Sequence, residues 1–260
     1  TTLSNETLYG TENLNNGEFE KMFDFRNFNR MQSQVFETLY NSNENVLLCS
    51  SKGTGKTSMA FVAFLNHLRQ NKGRAVYICP DQLKINHLLG LWKTRLSSLQ
   101  DERKMSQFGS DAKLNIEIFS KNHLVLATPF QFESFTRRWK YRKNLQKLDL
   151  IIFDDAHEVS NPIFGSIYES LISRMVLMHT QLETNLRIVS LSNTLSNARD
   201  FGEWMGIPKT NIYNFSPTEK EGELIVHLKT HDSETIHIEH DLMCEEISSL
   251  VRAHVTPLVF

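Results

Sequence analysis

Long hydrophobic runs are missing from this sequence of 260 residues. The longest apolar stretches, such as Leu150 to Phe153, fall far short of the ~20 residues that a helix needs to cross a bilayer. The N-terminus also lacks the basic-then-apolar pattern of a secretory leader. We therefore expect a protein that is neither secreted nor membrane-spanning, with no membrane partner.

Cysteine and net charge are also scarce. Cys49, Cys79 and Cys244 are odd in number, far apart and without CxxC spacing, which argues against a disulfide framework or a zinc site and favours a reducing compartment. The formal net charge is only -2. Any RNA contact would therefore have to come from a local patch of charge.

Short apolar runs alternate with longer stretches of helical period. This alternation predicts an α/β fold, with a mostly parallel sheet and helices on both of its faces. Asn29 and Asp81 are predicted helix N-caps, and Pro129 is placed in a first helical turn. The predicted strands are Asn45–Cys49, Arg74–Cys79, His123–Ala127, Leu148–Phe153 and Arg187–Leu191, with Leu114–Ile118 and Asn211–Tyr213 as two further candidates.

The strongest chemical motif is SSKGTGKTS at residues 50–58, between the apolar run NVLLC and the helical pattern SMAFVAFLNHL. Backbone N–H groups of such a loop, together with the helix N-terminus, can hold phosphate oxygens. Lys56 would contact the terminal phosphates and the Thr57 hydroxyl would bind Mg²⁺. Ser50 replaces the first glycine of the motif, and a simple glycine-rich turn is the alternative. The predicted nucleotide-binding residues here are Ser51, Gly53, Thr54, Gly55, Lys56, Thr57 and Ser58.

A second motif, LDLIIFDDAH, ends a predicted strand with acidic residues. Asp154 is placed where a carboxylate can bind Mg²⁺ through water, Asp155 follows it, and His157 lies three residues after Asp154. These three are the candidate catalytic residues. Two adjacent acids after a strand could instead cap the next helix.

The ordered segments FNRMQ, SSKGTGKT, ATPFQFESFTRRW, DDAH and SNT resemble the first RecA-like domain of superfamily 2 DExH-box RNA helicases, over roughly residues 20–217. FNRMQSQVFETLYNSNENV, NKGRAVYICP and NARDFGEWMGIPKTNIYNFSP further resemble the spliceosomal helicases with two tandem cassettes, which unwind paired small nuclear RNAs. The best match is the C-terminal cassette in a fungal form.

The resemblance implies a RecA-like P-loop domain that binds ATP and Mg²⁺. By position, it assigns adenine recognition to Gln32, phosphate and Mg²⁺ binding to Lys56 and Thr57, and metal binding to Asp154. It also implies a nuclear location. The implied partners are the active N-terminal cassette of the same polypeptide and other spliceosomal proteins.

One departure from the family bears directly on hydrolysis. The family has a glutamate, as general base or water positioner, where this chain has Asp155. Aspartate withdraws the carboxylate by roughly 1.5 Å, about one C–C bond. A misplacement of about 1 Å can lower a rate on the order of 10²-fold. Other altered positions are Ser51 and Lys52 for Pro-Thr, Phe130 and Gln131 for Glu-Lys, and Asn193 for Ala.

These departures predict a weak or silent ATPase, in a cassette that acts as a regulatory and protein-binding scaffold. The alternative is an active ATP-dependent RNA helicase, because Lys56, Thr57, Asp154 and His157 are all in place. A P-loop protein of unrelated role is a third possibility, which the upstream Gln32 motif disfavours. Six basic residues between Arg137 and Lys147 could contact RNA, although a solvated helix face is the preferred interpretation.

Polar residues with Pro217 and Gly222 interrupt the apolar pattern near residues 216–223. We therefore expect a flexible, Asn-rich N-terminal segment at 1–20 and a RecA-like ATP-binding domain at 21–217. A linker and the truncated start of a second RecA-like domain are expected at 218–260. The chain ends at Phe260 inside an apolar stretch, which predicts a fragment of a larger protein.

Overall fold

The computed structural model describes residues 1–2, 8–70, 73–97, 99, 105–141, 143–182, 185–219, 244 and 248. Within these residues, seven strands form one sheet in the order β3-β4-β2-β5-β6-β1-β7, and every strand pair is parallel. The predicted α/β fold is confirmed. The strands are β1 Val46–Cys49, β2 Arg74–Ile78, β3 Met105–Gln107, β4 Leu124–Ala127, β5 Leu148–Phe153, β6 Arg187–Ser192 and β7 Ile212–Asn214.

Helices cover both faces of the sheet because successive strand residues point to opposite sides. Val46 and Leu48 of β1 pack into one hydrophobic cluster, and Leu47 and Cys49 pack into the other. The second, third and fourth helices contribute to the first cluster, and the last four contribute to the second. The helices are α1 Gly17–Glu20, α2 Arg30–Tyr40, α3 Lys56–Arg69, α4 Gln82–Leu96, α5 Ala112–Lys121, α6 Pro129–Thr136, α7 Gly165–Leu182 and α8 Ala198–Trp204.

The predicted helix starts are confirmed. The Asn29 side chain accepts a hydrogen bond from the N–H of Gln32 at 2.8 Å and caps α2. The Asp81 carboxylate accepts from the N–H of Leu83, also at 2.8 Å, and caps α4. Pro129 is the first residue of α6, where its missing N–H costs no hydrogen bond.

The prediction of a strand at Leu114–Ile118 was wrong, since these residues lie within α5. The alternation of apolar and polar residues there resembles a strand, but Asp111 caps a helix start and the buried residues Asn115 and Phe119 are four apart. Strand β3, which lies at the edge of the sheet beside β4, was not predicted. It has three residues, two of them polar, and among the described strands it pairs with β4 alone.

The N-terminal residues 8–20 differ from the flexible segment that was predicted for residues 1–20. Leu14 and Phe19 are buried in the hydrophobic core, and the Tyr40 hydroxyl donates to the carbonyl of Leu14 at 2.7 Å. The segment packs because these two apolar residues interrupt its polar composition. Its asparagines serve as local caps, as when the Asn16 side chain accepts from the N–H of Glu18.

The chain divides into two compact units, Thr1–Glu221 and Gly222–Phe260. In the second unit only Cys244 and Ser248 are described, and the Ser248 hydroxyl donates to the carbonyl of Cys244 at 2.7 Å. The predicted start of a second RecA-like domain lies mostly outside the described residues and stays a prediction. Among the described helices, none combines the length and apolar character needed to span a membrane.

Candidate nucleotide-binding site

The candidate site lies at the C-terminal ends of four neighbouring strands. The SSKGTGKTS loop follows β1, and the acidic pair Asp154 and Asp155 follows β5. Strand β6 lies between them in the sheet and is followed by Asn193, while β2 lies on the other side of β5. Because the strands are parallel, residues that follow them meet at one edge of the sheet, which is where ligands bind in open α/β folds.

The loop between β1 and α3 closes around the ammonium of Lys56. Gly53 and Gly55 have φ of 85° and 90°, in the left-handed region that glycine enters without a steric penalty. The Lys56 ammonium donates to the carbonyls of Ser50 at 2.6 Å and Ser51 at 2.9 Å. Burial lowers the pKa of Lys56, while the charges of Asp155 and Asp154 act in the opposite direction. The loop thus holds a partly desolvated cation where phosphates are expected to bind.

Ser50, which replaces the first glycine of the motif, contributes a side-chain contact inside the loop. Its hydroxyl lies 2.7 Å from the hydroxyl of Thr54, which in turn donates to the carbonyl of Ser51 at 2.9 Å. The substitution therefore adds a cross-link to the loop and does not open it. Thr57 and Ser58 are half-buried in the first turn of α3.

Gln32, the predicted adenine-binding residue, lies against this loop and is almost fully buried. Its Oε1 accepts from the N–H of Asn29 at 3.0 Å, and its Nε2 donates to the carbonyl of Gly55 at 3.3 Å. The Asn29 amide donates to the carbonyl of Thr54 at 3.0 Å. The side-chain amide of Gln32 therefore already has protein partners, and recognition of a base would require these bonds to be exchanged.

Both carboxylate oxygens and the backbone carbonyl of Asp154 have donors. Its Oδ2 accepts from the Tyr77 hydroxyl at 2.5 Å and lies 2.7 Å from the Lys84 ammonium, while its Oδ1 accepts from the N–H of Asp155 at 3.0 Å. The Tyr168 hydroxyl donates to the Asp154 carbonyl at 2.6 Å. Burial has the largest effect on both tyrosines, and the negative charge of Asp154 has the next largest. Together they raise the pKa of each tyrosine well above its ordinary value, so both stay protonated and can donate.

Asp155 differs from Asp154 in both backbone and environment. Its φ of 50° is in the left-handed region, which aspartate enters more readily than most residues with a side chain. Its Oδ2 lies 2.8 Å from the ammonium of Lys84, which therefore bridges both acids. Burial lowers the pKa of Lys84, but the attraction of Asp154 and Asp155 outweighs burial and raises the pKa above its ordinary value.

Lys84 was not predicted from the sequence. It lies in the first turn of α4, directly after β2. The signal that could have revealed it is topological, since β2 and β5 are adjacent parallel strands whose following residues must meet. Sequence reasoning had identified both strands but had not established that they are neighbours.

The oxygen donors of the site fit Mg²⁺, the metal ion that the family implies. Among the described residues, one donor atom each of Cys79, Asp154 and Asp155 lie within 4.8 Å of one another. Carboxylate oxygens and the Thr57 hydroxyl are ligands that Mg²⁺ prefers. The Cys79 thiol is not, and burial raises its pKa so that it stays protonated. The fit is qualified by Lys84, whose ammonium contacts both carboxylates.

His157 contacts Asn193, directly after β6, and its Nε2 also lies 3.7 Å from Oε1 of Glu158. Its two ring nitrogens face the backbone N–H and the side-chain amide of Asn193, at 3.3 and 2.9 Å. The structure therefore gathers the predicted residues at one edge of the sheet but gives each a distinct set of partners.

Residues 29–201 match the DEAD/DEAH box helicase family. The pre-mRNA-splicing factor brr2 of Schizosaccharomyces pombe is 35% identical over 219 residues, which cover 84% of this chain. The activating signal cointegrator 1 complex subunit 3 of Dictyostelium discoideum is 34% identical over 219 residues, also 84% of this chain. The chain spans only 10% of the length of each of these relatives.

Solved helicase structures share the fold. The crystal structure of the DUF1998 helicase MrfA bound to DNA aligns with a TM-score of 0.64 at 15% sequence identity, covering 80% of this chain and 30% of that one. At this identity the alignment supports the fold alone. On the strength of the sequence match over residues 29–201, this chain belongs to the DEAD/DEAH box helicase family.

Proposed function

We propose that this chain is the ATP-binding RecA-like domain of a spliceosomal RNA helicase. Its cassette hydrolyses ATP weakly or not at all and acts as a regulatory and protein-interaction scaffold in pre-mRNA splicing. The observation that carries this proposal is the 2.8 Å contact between the Asp155 carboxylate and the Lys84 ammonium.

ATP binding is supported by the loop after β1. DEAD/DEAH box helicases in general use ATP and Mg²⁺. In this chain the Lys56 ammonium would exchange its two loop carbonyls for phosphate oxygens, and the N–H groups at the start of α3 would add further donors. Mg²⁺ would be held by the Thr57 hydroxyl and, through water, by Asp154. Gln32 would select adenine once released from Gly55.

Weak hydrolysis is supported by three properties of Asp155. Its side chain is one methylene shorter than the glutamate of the family, its backbone is fixed in the left-handed region, and Lys84 occupies one of its oxygens. A general base must have a free lone pair within hydrogen-bond reach of the attacking water. Positioning dominates phosphoryl transfer, so about 1 Å of misplacement is expected to lower the rate on the order of 10²-fold.

The splicing assignment is supported by the 35% identity to a protein named as a pre-mRNA-splicing factor. The signal cointegrator subunit is 34% identical, so the degree of identity alone does not choose between them. The segments that resemble tandem-cassette spliceosomal helicases favour splicing. The proposed partners are an active N-terminal cassette in the same polypeptide and other spliceosomal proteins, and the proposed location is the nucleus.

We propose that RNA contact by this domain is weak. The basic segment between Arg137 and Lys147 contains two short 3₁₀ helices, Trp139–Tyr141 and Lys143–Lys147, where a solvated helix face was predicted. Tyr141 is 89% exposed, and Lys140 lies over the Trp139 ring at 5.5 Å. Trp139 packs partly against the hydrophobic core, which leaves the exposed ring of Tyr141 to stack on a single-stranded base without selecting a sequence.

The second candidate function is an active ATP-dependent RNA helicase. The observation that favours it is the intact framework around Asp154, whose carboxylate is fixed by Tyr77 and by the N–H of Asp155. Lys56, Thr57 and His157 are also in place. In this alternative, nucleotide binding draws Lys84 away and frees Asp155.

RNA-stimulated ATP hydrolysis by the full-length protein separates the two candidates. The natural sequence is compared with Asp155→Glu, with the exposed Asp200→Glu as a matched control and Lys56→Ala as the blank for this site. ATP binding is verified for each variant. Hydrolysis above the blank only in Asp155→Glu, or in none of the variants, supports the scaffold. Robust hydrolysis by the natural sequence above the Lys56→Ala blank would establish the helicase instead.

A further inference from the structure

We propose that Lys84 is an internal cation that competes with Mg²⁺ for Asp154 and Asp155, so that this domain binds ATP with little dependence on Mg²⁺. The inference deepens the proposed function and rests on the ATP binding proposed there. It concerns a residue that lies outside the nucleotide-binding loop and outside the acidic motif.

The geometry places one ammonium on both acids. The Lys84 Nζ lies 2.7 Å from Oδ2 of Asp154 and 2.8 Å from Oδ2 of Asp155. The Tyr77 hydroxyl donates to the same Oδ2 of Asp154, and the N–H of Asp155 donates to its Oδ1. A cation that approaches these carboxylates therefore meets three oxygens that already have donors, both of Asp154 and Oδ2 of Asp155.

Four charged groups of the site, which act on one another, balance without a metal ion. The two carboxylates, Asp154 and Asp155, are offset by the two ammonium groups of Lys56 and Lys84. Without Lys84 the same site would carry one excess negative charge, which would repel a triphosphate unless a divalent cation accompanied it. With Lys84 in place, the carboxylates already have their counter-ion and the triphosphate meets no excess negative charge.

The position of Lys84 on α4 lets it compete with Mg²⁺ for Asp154 and Asp155. It is anchored in the first turn of α4, whose start is fixed by the Asp81 cap, and its side chain is only 30% exposed. Mg²⁺ keeps several water molecules when it binds through one or two carboxylates. A hydrated Mg²⁺ and an ammonium within 3 Å of the same oxygens would collide and repel each other, so Mg²⁺ must displace Lys84 to bind.

A competing assignment gives Lys84 a different role. Its ammonium could swing from the acids to the phosphates when ATP arrives, leaving the carboxylates to the metal ion. In that case Lys84 contributes to affinity equally with and without Mg²⁺. The two assignments therefore predict different effects of Mg²⁺ on the same variant.

The test compares the affinity of a non-hydrolysable ATP analogue in excess Mg²⁺ and in EDTA, measured by titration calorimetry. The proteins are the natural chain, Lys84→Met, Lys84→Arg and the control Lys93→Met. Lys93 is exposed and lies nine residues along the same helix. We expect the affinities of the natural chain, Lys84→Arg and Lys93→Met in the two buffers to agree within about threefold. The affinity of Lys84→Met for the analogue should be at least about tenfold lower in EDTA than in Mg²⁺, because an uncompensated unit charge acts at close range.

A second readout does not need a nucleotide. Mn²⁺, followed by electron paramagnetic resonance, should bind nucleotide-free Lys84→Met at least about tenfold more tightly than the natural chain. Mg²⁺ should raise the melting temperature of Lys84→Met and leave that of the natural chain unchanged, which also reports whether the variant is folded.

Each outcome decides between the assignments. Equal Mg²⁺ dependence of ATP binding in the natural chain and in Lys84→Met, or equal Mn²⁺ affinity, overturns the competition. A Lys84→Met variant that loses affinity equally in both buffers assigns Lys84 to the phosphates and also overturns it. If none of the proteins binds the analogue, the proposed ATP binding fails, and the Mn²⁺ titration still decides whether Lys84 competes with the metal.

Discussion

Asn193 contacts both ring nitrogens of His157 and so joins the end of β6 to the acidic segment that follows β5. A neutral imidazole donates at one nitrogen and accepts at the other, and the side-chain amide of asparagine can meet either need. The alanine that the resembling family usually has at this position could offer only its backbone N–H. Asn193 is therefore a structural contact that replaces a small residue.

Replacing Asn193 by alanine tests this contact. Loss of the side-chain hydrogen bond should lower the free energy of unfolding by about 1 kcal/mol. ATP-analogue affinity should stay within about twofold, because no contact to the loop after β1 is lost. Urea unfolding measures the first effect and calorimetry the second. Asn197→Ala is the matched control, since Asn197 is exposed and its side chain makes no capping bond. Equal stability of the two variants would mean that the Asn193 contact contributes nothing.

The close packing of Gly55 against Gln32 predicts a second effect. A Cβ at Gly55 would lie 2.2 Å from Nε2 of Gln32, and φ there is +90°. Gly206 also has a positive φ, +69°, but a Cβ there would meet nothing within 4 Å. Gly206→Ala should therefore cost about 1 kcal/mol from backbone strain alone. Gly55→Ala should cost about 2 to 3 kcal/mol because strain and collision add.

Urea unfolding of the two variants measures the difference. Gln32→Ala removes the group that the new methyl meets, so Gly55→Ala should lower the free energy of unfolding by less in the Gln32→Ala background than in the natural chain. If Gly55→Ala is no less stable than Gly206→Ala, Gln32 moves aside freely and the packing at the loop is loose.

Arg187 gives a third prediction, because it is a buried cation whose guanidinium donates to backbone carbonyls. It donates to the carbonyls of Glu44, Leu39 and Thr38 at 2.9, 3.1 and 2.8 Å, which satisfies two carbonyls in the last turn of α2 and one in the loop that follows. Burial, partly offset by the charge of Glu44, lowers the pKa of Arg187 to about 10, so it stays charged at neutral pH.

Arg187→Met should lower the free energy of unfolding by about 3 kcal/mol, because several buried carbonyls lose their donor. Arg199→Met, at an exposed position of α8, should change it by less than about 0.5 kcal/mol. Urea unfolding monitored by circular dichroism compares the two. A change below about 1 kcal/mol in Arg187→Met would mean that water replaces the guanidinium without cost.

The pKa of the Cys49 thiol predicts its pH-dependent reactivity. Burial raises this pKa from 9.0 to about 12, although Ser192 and Lys56 act in the opposite direction. Because the folded state favours the protonated thiol, the contribution of Cys49 to stability is fully present below pH 9 and is lost as the pH rises towards 12.

Alkylation in the native state at pH 8 should leave Cys49 and Cys79 unmodified, since both are fully buried and only the thiolate reacts.

Peptide mapping after iodoacetamide treatment checks this expectation, with the exposed Cys244 as the internal reference. In denaturant all three thiols should react. If Cys49 were labelled as fast as Cys244 in the native state, the strand that leads into the nucleotide-binding loop would have to open readily.

Sequence reasoning worked best where one physical cause dominates. Buried parallel strands must be apolar, so β1, β2, β4, β5 and β6 were predicted with ends that differ from the observed ones by no more than one residue. It failed at β3, where edge pairing requires no apolar run, and at α5, where short-range alternation imitates a strand. The members of the candidate site were found because they lie in a motif.

The residues that contact these motif residues could not be predicted from the sequence in the same way. The order of the strands decides that α4 begins beside β5, and only this order brings Lys84 to Asp155. Likewise, the contact between His157 and Asn193 depends on β5 and β6 being neighbours. The sequence indicates which residues carry the chemistry, and the topology determines their neighbours.

The dual use of Asn29 and Gln32 has a consequence for how this domain evolves. The pair starts α2 through reciprocal hydrogen bonds, and the same two amides hold the carbonyls of Thr54 and Gly55. A mutation at either residue therefore weakens the fold as well as any recognition of a base. Purifying selection for folding alone would keep Gln32 in a descendant that had stopped binding nucleotide, so this glutamine would outlast the activity with which it is associated.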